Sequence, residues 1–91
     1  MDLKEPVDVL SSVCSDESKS VTVTTKDTVF NDVGIIRAEP KGTQRELFFG
    51  VGPGGVQFKF EVNFSITGSI ESIVLFEDET AVGKVESITV E

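Results

Sequence analysis

The sequence contains no histidine, no tryptophan and no tyrosine, and it has a single cysteine. Without histidine, no side chain has an ordinary pKa near neutrality. Ser-His-Asp and Cys-His nucleophile systems therefore cannot be assembled from this chain alone. One cysteine cannot close an intramolecular disulfide, and with no histidine beside it the ligands of a zinc site built from His and Cys are missing too. The lack of Trp and Tyr disfavours a sugar-binding or paratope-like surface, because those lean on flat side chains with a polar tip. Long apolar runs are also missing. None approaches the roughly 20 residues that a membrane helix needs, and the run 7–13 is too short and polar for a signal peptide. These absences lead us to expect a cytoplasmic protein of a reducing compartment, or else an extracellular module of a longer chain.

Basic residues are scarce: eight Lys and Arg stand against sixteen Asp and Glu, for a formal net charge of −8. That balance opposes direct nucleic-acid binding, which needs clustered cations, and it opposes docking on anionic membranes. It leaves solubility, or attraction to a basic partner protein. The acids are dispersed, with Lys59 close to Glu61 and Lys84 close to Glu86. Long carboxylate rows that imitate phosphates are not evident.

What the chain does have is Val, Ile and seven Phe in short runs separated by turn residues, which is the pattern of an all-β fold. Strands are expected at 7–13, 20–25, 33–39, 45–51, 56–67, 69–77 and 84–90. The segment 56–67 is the clearest. Val56, Phe58, Phe60, Val62, Phe64 and Ile66 alternate with Gln57, Lys59, Glu61, Asn63, Ser65 and Thr67. Period two means that one face packs and the other meets water. Turns are expected at Asp27, at Asn31-Asp32, at Glu39-Pro40-Lys41-Gly42, at Thr67-Gly68, and from Glu77-Asp78-Glu79-Thr80 to Gly83. The expected architecture is a small antiparallel β-sandwich or barrel of about seven strands. Residues 1–6 form a flexible N-terminal segment and residues 7–91 a single β domain.

Few residues are candidates for chemistry. Cys14 has acidic neighbours in Asp16 and Glu17, which do not activate a thiol, so it reads as a small packing residue or a surface thiol. Gly50, Gly52, Pro53, Gly54 and Gly55 form a flexible, glycine-rich connection. It lacks the Lys-Ser or Lys-Thr and the following helix that a phosphate-binding loop requires. Glu77, Asp78 and Glu79 are the densest acidic cluster but lack the alternating spacing of a calcium loop.

Two strands carry apolar residues on both faces. In 45–51, Phe48 and Phe49 must point opposite ways; if Phe49 packs with Leu47 and Val51, Phe48 points outward. In 69–77, Ile73 and Leu75 oppose Val74 and Phe76. Phe48, Ile73 and Leu75 are therefore the expected partner contacts, with Glu77, Asp78 and Glu79 as steering charges. The resulting expectation is a non-enzymatic protein-interaction domain, without cofactor or metal, that binds a basic partner protein. An inhibitor, an immunity protein or a phage or viral accessory protein would fit. The alternative is a structural module that binds copies of itself.

Overall fold

A computed structural model describes residues 5–90. Six antiparallel strands follow one another around a closed barrel: β1 (Val21–Thr25), β2 (Val29–Pro40), β3 (Arg45–Val51), β4 (Gln57–Phe64), β5 (Ile70–Glu77) and β6 (Thr80–Val90). β6 returns to pair with β1, placing Val21 opposite Val90 and Val23 opposite Ile88. Of the two all-β architectures expected from the sequence, sandwich or barrel, the barrel is what forms, with six strands where about seven were expected.

The missing strand is the segment 7–13, which is helical: α1 runs over Pro6–Cys14. Val7, Val9 and Val13 keep a period of two, but Leu10 and Cys14 fall on the opposite face and break the pattern. Val9 with Val13 and Leu10 with Cys14 recur at four residues instead, the spacing of one helix face. Pro6 opens the helix, where its missing N–H costs no hydrogen bond. Val9, Leu10 and Val13 are buried against β2 and β6. Residues 1–4 of the expected flexible segment lie outside the described residues. Beyond the helix, the Asp16 carboxylate accepts hydrogen bonds from the Ser18 hydroxyl at 2.6 Å and the Ser18 N–H at 3.0 Å. The hydroxyl bond above all, then the N–H bond, with Lys19 nearby, holds the Asp16 carboxyl below its ordinary value.

β2 and β6 are long because each serves two neighbours. β2 pairs with β1 through Val29–Val33 and with β3 through Gly34–Pro40. β6 pairs with β5 near its start and with β1 from Val85 onward. Both strands bend at register shifts, and such bulges let a small sheet curl closed. Asn31-Asp32, expected in a turn, falls inside β2, where Asp32 has φ 59. Gly83, expected to end a loop, falls inside β6, directly opposite Leu75. The β5–β6 connection is only Asp78-Glu79, both at positive φ.

The barrel interior is filled by alternate residues of the strands, among them Val33, Ile35, Phe48, Phe58, Phe60, Val62, Ile73 and Leu75. Phe30 and Phe58 meet edge to face at 5.4 Å between centroids. Gly50 is part of this wall, within β3, and not part of a loop as expected. A Cβ there would stand 2.7 Å from the Gly34 carbonyl oxygen, with Val33 and Ile35 side-chain carbons at 3.1 and 3.3 Å. A backbone oxygen cannot swing aside as a side chain can. Gly50→Ala is therefore expected to destabilise the fold by about 1–3 kcal/mol. Urea denaturation checks this, and an unchanged midpoint would refute so close an approach of β2 and β3. Gly52, Pro53, Gly54 and Gly55 form a hydrogen-bonded turn: Gly52 N–H donates to Val56 O at 2.8 Å and Gly55 N–H to Gly52 O at 3.1 Å. No helix among the described residues is long and apolar enough to cross a membrane.

Candidate functional site

The alternation of β4 decides which residues face out. Phe58, Phe60 and Val62 are buried inside, so Gln57, Lys59, Glu61 and Asn63 point outward. Cross-strand register extends that parity to the neighbours. Phe49 pairs with Lys59 on one side of β3 and with Arg37 on the other, while Lys59 in turn pairs with Phe76. One row across four strands therefore reads Arg37, Phe49, Lys59, Phe76. Two residues along the strands, the next row reads Glu39, Leu47, Glu61, Val74, Lys84.

Within the first row each cation rests on a ring. The Arg37 guanidinium carbon is 4.2 Å from the Phe49 centroid and the Lys59 Nζ is 4.4 Å from that of Phe76. Each contact contributes on the order of 0.5–1 kcal/mol at a site this exposed. Among the described residues neither cation has a carboxylate within ion-pair distance, whereas Arg45 pairs with Glu61 at 3.6 Å. Arg37 and Lys59 thus cover the aromatic rings with their stems and keep charge available outward.

This row floors a groove of about 630 Å³, lined also by Ile36, Val51, Gln57, Asp78 and Glu79. Ile36, at the bulge where β2 shifts register, is 63% exposed and is the apolar side chain most open to solvent on this face. At the other rim the Asp78 side chain accepts from the Gln57 N–H at 3.3 Å, and the Asp78 N–H donates to Gln57 O at 3.0 Å. That carboxylate fastens the β5–β6 turn to the start of β4. Four acids (Glu39, Glu61, Asp78, Glu79) and four bases (Arg37, Arg45, Lys59, Lys84) lie on this face or its rim. The face is electrically balanced although the chain as a whole carries −8.

The expected contact residues are placed differently. Phe48 and Leu75 are fully buried and Ile73 is 5% exposed, all in the barrel core. None of the three can meet a partner. The reason is a parity flip: Phe48 pairs with Phe60 and Leu75 with Phe60 on its other side, while Ile73 pairs with Val62, so all three share the interior. Their outward neighbours Phe49, Val74 and Phe76 occupy the face that was assigned to them. Asp78 and Glu79 do border the groove; Glu77 pairs with Phe58 and Thr80 and does not line it. Arg37, Lys59 and Ile36 were missed. The polar half of the β4 alternation was the available clue, since whatever pairs with Lys59 must also face out. Cys14 ends the helix, half-buried against the core.

Comparison with protein-family models, with curated proteins and with solved structures finds no match for this chain.

Proposed function

We propose that the chain is a non-enzymatic protein-interaction domain that docks through the outer face of β2–β5. The observation that carries this reading is the Arg37–Phe49–Lys59–Phe76 row on the floor of the groove. Interface centres are enriched in aromatic side chains and Arg, and they lie beside polar rims. Here Phe49, Phe76 and exposed Ile36 supply the apolar part, while Asp78 and Glu79 stand at the rim. The net charge of −8 serves solubility and long-range steering. Contact on this face calls for a partner of mixed charge with acidic groups opposite Arg37 and Lys59, in place of the uniformly basic partner that composition alone suggests.

Ile36→Asp combined with Phe76→Ala tests the face, with Lys26→Ala in the β1–β2 turn as a control away from it. A partner captured from the native host, then purified and titrated, is expected to bind the control as it binds the wild type. It should bind the double variant about 30-fold or more weakly, the effect of losing a hot spot. Equal affinity for all three proteins would refute the assignment.

A further inference from the structure

Resting on that reading of the face, we infer that its occupant is a second copy of this chain, joined about a twofold axis. The two outward rows are mutually complementary, column by column. On β2, Arg37 stands beside Glu39; on β3, Phe49 beside Leu47; on β4, Lys59 beside Glu61; on β5, Phe76 beside Val74. A twofold axis lying in the interface, parallel to the rows and midway between them, turns each row onto the other. Arg37 then faces Glu39 of the second copy, and Lys59 faces Glu61. Phe49 faces Leu47 and Phe76 faces Val74. Both cations meet a carboxylate and half-buried Phe76 meets half-buried Val74, the pairing a self-complementary isologous interface requires, while Leu47, buried in the single chain, adds little contact of its own. The rows lie about 6.7 Å apart along the strands, and facing sheets pack about 10 Å apart, so the charged side chains can reach across.

The electrostatics of the single chain agree. Arg37 and Lys59 lack a carboxylate within ion-pair distance among the described residues. Glu39 has no ion pair there either; Glu61 is shared with Arg45. The face is balanced, so two copies do not bring net charge into the contact, whereas the remaining surfaces repel. A patch of four strands lies at the small end of interface sizes, and Leu47 is already covered by its neighbours. The dimer is therefore weak and depends on concentration.

Charge reversal on single rows tests this directly. Arg37→Glu with Lys59→Glu makes both rows acidic; Glu39→Lys with Glu61→Lys makes both basic. Each pair of reversals moves the net charge by four units from −8, to −12 and −4. Both variants stay negative overall, so bulk attraction cannot bring them together. Circular dichroism melts establish that all proteins are folded. Sedimentation velocity at about 0.15 M salt, where the Debye length is about 8 Å, then reads assembly over a dilution series. The wild type is expected to dimerise, each variant alone to associate at least about tenfold more weakly, and the equimolar mixture to form a heterodimer. A wild type that stays monomeric at all concentrations, or variants that dimerise as it does, overturns the second copy as occupant. Failure of the mixture to associate overturns the proposed column pairing. None of these results decides whether a different protein docks on the face, which the Ile36 and Phe76 variants read separately.

Discussion

Phe48→Ala is expected to remove about 3–5 kcal/mol of stability, the usual range for deleting a fully buried phenylalanine. A domain of 91 residues has on the order of 5–14 kcal/mol in total. The thermal midpoint should fall by roughly 12–40 °C, at about 4–8 °C per kcal/mol for a domain this small. The cost is large because Phe48 is fully buried and sits opposite Phe60, which is fully buried too. Removing it opens a cavity that the closed wall of strands cannot collapse into. Phe49→Ala, one residue along and on the outer face, gives up a half-exposed ring and one cation contact. Its loss should be about 1 kcal/mol. Thermal and urea unfolding of the two variants therefore measure the parity of β3. If Phe49→Ala were the more damaging, the strand would be facing the other way.

The second large effect belongs to the helix. Leu10→Ala is expected to destabilise the protein by about 2–5 kcal/mol, although alanine is the best helix former. Leu10 is fully buried between α1 and the barrel. A helix of nine residues has little stability of its own in water, so tertiary packing is what keeps it formed. The substitution separates two structures of this segment. In a strand, Leu10 would point away from Val7, Val9 and Val13, and its truncation would be nearly neutral. In a helix it shares their buried side. A loss below about 0.5 kcal/mol by chemical denaturation, the level of an unremarkable surface change, would remove α1 from the core.

Particular residues show what the sequence could disclose. The bounds of β3 and the alternation of β4 were legible because each is a local property: β-branched and aromatic residues at period two, with glycine and proline beyond the ends. Hairpin turns at Gly42 and Gly68 were legible because their φ of 77 and 94 suits glycine. The faces of β3 and β5 were not legible. Both strands carry apolar residues on both sides, and only pairing with Lys59 and Phe60 of β4 decides which side is inside. Register is a long-range property, and a slip of one residue exchanges every side chain between core and solvent. The same uncertainty in β3 and β5 displaced the candidate site by one residue on each strand, from Phe48 to Phe49 and from Leu75 to Phe76. The β-branched content of 7–13 also outweighed its helical spacing, because the run is short and only tertiary contact decides between the two.

Pairing of β1 with β6 has a consequence for how the protein is made. During synthesis the β2–β5 meander can assemble as each hairpin emerges, since its contacts are close in sequence. β1 and β6 are different: Val21 waits for Val90, and Thr22 for Thr89. α1 also rests partly on β6. The first-made elements thus stay unfinished until the last strand leaves the ribosome, with Leu10, Val13 and Val21 exposed to chaperones in the interval. Closing so long a loop late in folding makes this the slow step. A ribosome-bound chain from which β5 has emerged while β6 is still enclosed should hold a formed meander and an open seam.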